Sequence, residues 1–586
     1  MGHDHAHPHD HPHDHSHSHD HSHGTEPGPD GGDPVLDLSI PDAELAPHQL
    51  ARRGFLTRAG ILGAGLAGAS VLPAGAAHAD GRHEHGHQPS RRAPRHGYAW
   101  LAGDHHIHTQ QSSDAQYRVA DHVKHASAYG LDWMVITDHG SIAHAKIGVE
   151  KVNPDIRAAR EEYGEQTLVF QGLEWNIPAA EHGTVFVHPG SNEVAVLKEF
   201  ENSFDGVVNN TTASSTANES AALRGLDFLA ASVTKGRVKD AMFFANHPAR
   251  KGIDSPHEIR GWRDQQPRIA LGMEGAPGHQ AAGIPAPYGP GSGRGYYDNS
   301  PSANSFAGYP LASYVTYGGF DWMTATVGGL WDSLLAEGKP WWITANSDSH
   351  QVYADDSARP VGQDTQAYFD ANGRYGDPVH GSTGPNLTQG DFWPGYYSRT
   401  HVGAEQFGYA AVMQGLRAGR VWVDHGSLLG SLDVRVRPAG SRDPGYPLGS
   451  AVRCRRGQQL ELVVSIVTQD QPNWAEFVPA LAKVDVIRGT VTGAVSDKDT
   501  FTTPTTKVVK TFDVTGRRGQ ITLTYPLGRA DQPFYLRVRG SDGKRTAAGI
   551  NGAGVDAAGP QADALGNADP WNDLWFYTNP IWVLTS

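Results

Sequence analysis

The chain has 586 residues, a formal net charge of -15 and a hydrophobic fraction of 38%. This length exceeds what one ordinary core organises, so we expect two folded domains with extensions. The acidity argues against nucleic acid as the main ligand, because phosphate binding requires a basic face, and the single Cys454 excludes an internal disulfide.

Histidine dominates the first segment of the chain, residues 1–50. It occupies every odd position from His3 to His23, with aspartate among the spacers. Such a polar tract cannot bury a core, so we expect it to be disordered and to chelate zinc, nickel or copper weakly. We interpret it as an accessory.

Residues 51–79 are predicted to be a twin-arginine signal peptide. They contain Arg52-Arg53, a short Gly/Ala-rich apolar stretch and an Ala-His-Ala end at Ala79. A polar linker, residues 80–97, follows. We therefore expect the twin-arginine machinery to export the protein to the periplasm, the cell wall or the outside, with no stable membrane anchor after cleavage.

Strand-like and helix-like segments alternate over residues 98–430. Together with polar residues at the strand ends, this alternation favours a parallel β/α barrel. Two long Gly/Pro/Tyr-rich insertions, near 276–318 and 351–398, are typical of lids or binding loops. The predicted strands are 131–136, 167–170, 183–187, 241–245, 269–273 and 341–345, and the main helices are 117–129, 154–163, 221–234, 324–336 and 408–419.

Short alternating strands with Gly/Pro/Asp turns fill residues 431–586. This rhythm is typical of a β-sandwich. No cluster of metal-ligand residues occurs in this part of the sequence, so we predict an accessory packing or binding domain.

Short motifs rich in histidine and carboxylates follow the predicted strands of the first domain. Imidazole and carboxylate at this density indicate one metal site gathered by folding, and such a site usually activates water. The motifs are Asp104-His105-His106-Ile107-His108-Thr109, Thr137-Asp138-His139-Gly140, Gly172-Leu173-Glu174, Glu181-His182, Asn246-His247-Pro248 and Asp348-Ser349-His350.

In this order, the motifs resemble those of the PHP (polymerase and histidinol phosphatase) superfamily of metal-dependent hydrolases. They are most similar to its CehA/McbA-like branch, which contains carbamate-hydrolysing members, and the segment 393–402 is similar to that branch too. The resemblance covers residues 98–430. It implies a distorted (β/α)7 PHP barrel that binds two or three divalent metal ions (zinc, manganese or iron), here followed by the β-sandwich-like domain.

Carried over residue by residue, the resemblance implies nine metal ligands. His106, His108 and Asp348 would hold one ion, and Glu174 would bridge to a second ion bound by His247. The full implied set is His106, His108, Asp114, His139, Glu174, His182, His247, Asp348 and His350.

The third ion of the implied set depends on His139 and Asp114. The usual family spacing places the early acidic ligand at Ser113, so the use of Asp114 requires a local insertion. Asp138 can be a ligand, a catalytic proton carrier or a hydrogen-bond partner of His139.

The chemistry expected of such a site is hydrolysis. Two cations about 3.5–4 Å apart can share a hydroxide that attacks the phosphorus of a phosphate ester. Arg250 and Arg399 are candidates for holding a phosphoryl oxygen, since guanidinium groups suit oxyanions.

Two alternatives stay open at the level of sequence. The same metal site could hydrolyse a carbamate, amide or aryl ester, with aromatic side chains forming an acyl or aryl pocket. The chain could instead be an exported protein that binds and buffers zinc. The candidate pocket residues are Tyr296, Tyr297, Trp393, Tyr396 and Tyr397, and the histidines expected to be ordinary surface or hydrogen-bonded residues are His122, His125, His144, His188, His257, His279 and His380.

Overall fold

The computed structural model describes residues 97–381, 384–564 and 568–586. The predicted histidine tract, the signal peptide and almost all of the linker lie outside these residues. Among the described helices, none combines the length and the apolar character needed to cross a membrane.

The described part of the chain alternates strands and helices at first and then becomes rich in strands. The strands are β1 (Ala99–Asp104), β2 (Trp133–Ile136), β3 (Leu168–Asn176), β4 (His182–Val187), β5 (Ala241–Ala245), β6 (Ala270–Ala276), β7 (Trp342–Ala345), β8 (Ser357–Ala358), β9 (Val379–His380), β10 (Ser398–Ala404), β11 (Val421–His425), β12 (Leu429–Pro438), β13 (Tyr446–Pro447), β14 (Ala451–Cys454), β15 (Gln459–Thr468), β16 (Lys483–Thr490), β17 (Lys507–Asp513), β18 (Gln520–Arg529), β19 (Phe534–Ser541), β20 (Thr546–Ala547), β21 (Gly559–Pro560), β22 (Trp575–Thr578) and β23 (Ile581–Thr585). The α-helices are Val119–Ala128, Ile142–Tyr163, Glu193–Phe204, Thr216–Thr234, Pro256–Gln265, Trp322–Ala325, Leu330–Ala336, Gln366–Asn372 and Tyr409–Arg417.

Strands β1 to β7 are consecutive neighbours in one sheet. The pairs β1–β2, β2–β3, β5–β6 and β6–β7 are parallel, as predicted. Strand β4 is antiparallel to both β3 and β5, which corrects the expectation of an all-parallel sheet. The reason is the short connection between β3 and β4, because a parallel crossover needs a dozen or more residues. The α/β class is confirmed with a mixed, parallel-rich sheet.

The two ends of this strand series approach each other just beyond β1 and β7. Ile107 and Ser349 form a parallel bridge, and the backbone N–H of His108 donates to the carbonyl oxygen of Ser349 at 3.0 Å. The first and last ligand motifs are therefore side by side, although about 240 residues of sequence separate them. Closure of the whole series into a barrel stays a prediction.

Two predicted helices have different bounds in the structure. The helix predicted at 154–163 begins earlier, at Ile142, where the Ser141 hydroxyl accepts the backbone N–H of His144. The helix predicted at 324–336 is interrupted, because Gly328 has a φ of +74°, which a helix cannot accommodate. Two shorter helices result.

The predicted β-rich region is present, and its larger sheet continues that of the first region. Strand β10 pairs with β1, β11 pairs with β10, and β22 pairs with β11. A separate four-stranded sheet has the order β13-β12-β15-β18. Alternate side chains of β15 are buried, and they share one apolar core with side chains of β19 and β23.

Candidate metal centre

The predicted ligands lie at or just beyond the ends of neighbouring strands. Glu174 is near the end of β3, and His247 and Asp348 follow β5 and β7 by a few residues. His247 has a φ of 29° and Asp348 a φ of 45°, both in the left-handed region. Backbone strain of this kind in residues other than glycine is concentrated at functional sites, where the surrounding structure enforces it.

The first cluster brings three predicted ligands to one point. The Nε2 atoms of His106 and His108 are 2.9 Å apart. Oδ1 of Asp348 lies 3.1 Å from Nε2 of His106 and 3.2 Å from Nε2 of His108. All three side chains are buried. They form the group that the sequence assigns to the first ion.

The outer nitrogens of these two histidines have their own partners. Nδ1 of His106 lies 2.7 Å from Oε1 of Glu274, and Nδ1 of His108 lies 3.0 Å from the Ser112 hydroxyl. That hydroxyl donates to Asp138, so it accepts a hydrogen bond from Nδ1–H of His108. The proton of each ring is therefore directed outward, and each Nε2 presents a lone pair to the centre.

Two imidazole nitrogens and a carboxylate oxygen that face one buried point form a site that a bound cation would stabilise. Oδ1 of Asp348 and Oε2 of Glu174 are also buried, and the nearest partners given for them among the described residues are imidazole nitrogens. Nitrogen and carboxylate donors are the ligands preferred by zinc, manganese and iron. The residues present therefore fit the implied metal ions.

Glu174 lies between the first cluster and the other predicted histidine ligands. Its Oε1 is 3.1 Å from Nε2 of His106, 3.2 Å from Nδ1 of His182 and 3.3 Å from Nε2 of His247. Its Oε2 is 2.7 Å from Nδ1 of His139. Burial alone would raise the pKa of the Glu174 carboxyl, but the imidazoles of His182 and His106 outweigh burial and hold this pKa well below its usual value. The group is an ionised carboxylate whose two oxygens face different sets of ligands.

Another cluster of predicted ligands contains Asp114, His139 and His350. Oδ2 of Asp114 lies 3.1 Å from Nε2 of His139, and its Oδ1 lies 3.5 Å from Nε2 of His350. The two imidazole Nε2 atoms are 3.3 Å apart. The structure thus places Asp114 beside His139, the residue with which the sequence groups it for a third ion.

A cavity of about 280 Å³ opens onto these clusters. Arg250 lines it, with Nη2 3.0 Å from Oε1 of Glu181. The lining residues are Asp114, His139, Glu174, His182, His247, Arg250, His279, Tyr296, Asp348, His350, Gln351, Gln389, Gly390 and Asp391.

The other two predicted catalytic residues lie outside this lining. Arg399 binds Asp424 through both ends of its guanidinium, at 3.0 and 2.7 Å. Asp138 lies behind the ligands, where it accepts from the Thr109 backbone N–H at 2.6 Å and from the Ser112 hydroxyl at 3.0 Å. Since Ser112 also binds His108, Asp138 orients that ligand.

Comparison with protein families agrees with this arrangement. Residues 104–253 match the family model of the PHP domain. The chain contains a PHP domain. The matched segment includes seven of the nine predicted ligands, from His106 to His247. Asp348 and His350 follow it, and the fold returns them to the PHP ligands through the bridge between Ile107 and Ser349.

No curated protein matches the chain. Among solved structures, the chain is similar to a two-domain protein from Bacteroides vulgatus ATCC 8482 described as containing a predicted PHP-like metal-dependent phosphoesterase. The identity is 14%, the match covers 78% of this chain and 95% of the other, and the TM-score is 0.30. A likeness at this TM-score supports no statement about the activity of this chain.

Sequence reasoning missed three residues around the PHP ligands. Glu274 holds His106, as described above, and Asp391 binds His279, which was expected to be an ordinary histidine. His279 lines the cavity, with Nε2 2.9 Å from Oδ2 of Asp348. Glu274 near the end of β6 had a usable signal, because other strands of the sheet carry ligands at that end. His279 and Asp391 belong to the long insertions and had none.

Proposed function

We propose that this chain is a metal-dependent hydrolase that cleaves phosphate esters. The observation that carries the proposal is the convergence of buried imidazole nitrogens and carboxylate oxygens on shared points beside an open cavity. The PHP domain supports the same conclusion. When bound, divalent ions would lower the pKa of water and neutralise charge on the group under attack.

The residues of the chain supply the geometry for this chemistry. Glu174 faces His139 with one oxygen and His247 with the other, so it would help to hold an ion on each side of its carboxylate. Burial, followed by the nearby Arg250 guanidinium, lowers the pKa of His247 to about 3. This imidazole is consequently neutral over the working pH range, the state in which histidine binds metal.

Arg250 supports an anionic substrate. Its side chain lines the cavity, and its Nη2 donates to Oε1 of Glu181 at 3.0 Å. A guanidinium that is paired on one side can bind a phosphoryl oxygen on the other. We assign this role to Arg250 alone, since Asp424 engages the guanidinium of Arg399.

The alternative reaction, hydrolysis of a carbamate or aryl ester, would be supported by an aromatic pocket that binds the acyl or aryl group. Of the five aromatic side chains considered for such a pocket, Tyr296 alone is part of the cavity lining. The Tyr297 hydroxyl binds buried Asp321, and Trp393 stacks on His125 at 3.8 Å. The rest of the lining is almost entirely polar, which favours a phosphate ester.

A substrate panel tests the proposal. Protein lacking residues 1–97 is stripped of metal, reloaded with zinc, manganese or iron, and assayed with chromogenic phosphomonoester, phosphodiester and aryl-carbamate substrates. We expect metal-dependent turnover of a phosphate ester and a large loss in Arg250→Met. Turnover of the carbamate alone would replace the phosphoesterase with the first alternative. Metal binding without any turnover would favour the zinc-binding protein.

The proposal includes three finer predictions. We propose export by the twin-arginine route, closure of β1 to β7 into a distorted (β/α)7 barrel, and membership of the CehA/McbA-like branch. Export is tested by replacing Arg52 and Arg53 with lysine, which should leave the precursor in the cytoplasm. Unchanged secretion would contradict the twin-arginine signal.

A further inference from the structure

The two long insertions meet at a hydrogen-bonded chain of three side chains that ends on a predicted metal ligand. His279 belongs to the first insertion and Asp391 to the second. Nε2 of His279 lies 2.9 Å from Oδ2 of Asp348, and its Nδ1 lies 2.5 Å from Oδ1 of Asp391. Each ring nitrogen thus faces a carboxylate oxygen, and all three side chains are at least largely buried.

The two oxygens of the Asp348 carboxylate contact different partners. Its Oδ1 faces His106 and His108 at the point where the first ion would be bound. Its Oδ2 meets His279. Because the positions of both oxygens are fixed, the carboxylate cannot rotate without losing either the hydrogen bond or its alignment with the two imidazoles.

Asp391 extends this control to the backbone of the last ligand motif. Its Oδ2 accepts the backbone N–H groups of His350 at 2.6 Å and of Gln351 at 2.9 Å. The Tyr353 N–H donates to the Asp391 carbonyl oxygen at 2.8 Å. The same aspartate therefore positions His279 with one oxygen and the loop that carries His350 with the other.

The backbone next to His279 is fitted closely to the ligand loop. A Cβ atom at Gly278 would lie 2.2 Å from Cβ of Asp348 and 2.2 Å from the carbonyl oxygen of Ser347. His279 itself has a φ of 53°, and its N–H donates to the same Ser347 carbonyl at 3.2 Å. Such close approach leaves the ring little freedom to move away from Asp348.

We infer that His279 and Asp391 are positioning residues that fix the Asp348 carboxylate and so link both insertions to metal binding. The inference rests on the proposed metal centre. Partners of this kind, one hydrogen bond away from a ligand, typically change metal affinity by about 10–100-fold when removed. The ion held by His106, His108 and Asp348 should be weakened, whereas an ion held through His182 and His247 should not.

Cobalt binding to purified protein that lacks residues 1–97 tests the inference. Affinity is measured by equilibrium dialysis and the ligand environment by the visible spectrum of bound Co²⁺. We expect His279→Ala to weaken one cobalt ion of the set by about 10–100-fold. At saturating cobalt the spectrum should return to the wild-type shape, since the ligands themselves are unchanged. Asp391→Asn should shift the affinity in the same direction by a smaller factor.

Two further variants separate positioning from a general effect on folding. His279→Gln places an amide nitrogen near the position of Nε2 and should recover part of the lost affinity. His257→Ala is the matched control, because His257 forms a similar histidine–aspartate pair with Asp499, 2.6 Å away, outside the cavity lining. It should bind cobalt like the wild type.

The outcomes distinguish this inference from the proposed function. If the wild type binds no cobalt, the metal centre itself is refuted. If the wild type binds and His279→Ala binds equally well, the positioning role is wrong. A variant spectrum that stays altered at saturation would also overturn it, because His279 would then be a ligand.

Discussion

Buried charge is arranged differently in the metal cavity and in the β-rich region. Two buried arginines of the β-rich region are neutralised by aspartates, one of which comes from the helix Leu330–Ala336 of the first region. Arg537 binds Asp332 at 2.7 Å, and Arg539 binds Asp485 at 3.0 Å. Each guanidinium and its carboxylate are almost completely buried.

The metal cavity lacks this balance. Four carboxylates, Asp114, Glu174, Asp348 and Asp391, line it together with one guanidinium, Arg250. Imidazoles supply many of the remaining polar atoms of the lining. Buried charge without a partner is costly. The comparison teaches that the chain itself supplies the countercharge for these buried arginines, whereas the carboxylates of the cavity outnumber its guanidinium and would be balanced by bound cations.

Metal removal should have the largest effect on activity, and this effect should come from the cavity and not from the β-rich region. Chelation should lower turnover by more than about 10³-fold, because loss of even one catalytic stabilising group typically costs 10²–10³-fold. It should also lower the thermal midpoint, by the equivalent of about 4 kcal/mol for an ion bound at a thousand times its Kd. Turnover, calorimetry and metal content are measured on the same preparation. Full activity in metal-free protein would contradict the mechanism.

Glu174→Gln should have the second-largest effect on activity. The substitution removes negative charge from both sides of the bridging position, so we expect kcat to fall by about 10²–10³-fold and metal content to decrease. Glu461→Gln is the control, because Glu461 pairs with Arg437 on the β-rich sheet, away from the cavity. A Glu174→Gln protein with normal metal content and turnover would show that the site assignment is wrong.

Asp332→Asn should affect stability and leave chemistry unchanged. It leaves the buried Arg537 guanidinium without its countercharge, which should cost about 3–5 kcal/mol in the free energy of unfolding. Urea denaturation with saturating metal measures the cost, and turnover per folded molecule should equal that of the wild type. Asp332→Leu combined with Arg537→Met should be less destabilised than Asp332→Asn. A loss below about 1 kcal/mol in the single variant would place this pair among weak surface pairs.

Deletion of residues 1–97 should have the smallest effect. The histidine tract and the signal peptide are predicted accessories, so kcat of cytoplasmically produced protein should remain within about twofold of the full chain. Tightly bound metal per molecule should also be unchanged, although weakly bound metal should decrease with the tract. If the deletion abolishes turnover while Glu174→Gln retains it, the N-terminal histidines are part of the site.

The sequence determined the α/β class, the β-rich second region and the set of candidate ligands. Each depends on a local signal. Apolar runs such as 241–245 are buried strands at the predicted positions, and the ligand motifs follow such runs because the ends of parallel strands meet at one edge of a sheet. The PHP motifs are short and contiguous, so segments such as 104–108 and 348–350 are recognisable without knowledge of the fold.

The tertiary structure decided the rest, because it depends on contacts between distant residues. It made β4 antiparallel, joined β10 and β11 to the strands of the β-rich region, and placed Arg399 on Asp424 rather than in the cavity. It also brought His279 and Asp391 from two insertions to Asp348. Residues in long loops carry no periodic pattern, so only the folded chain shows which of their side chains reach the metal ligands.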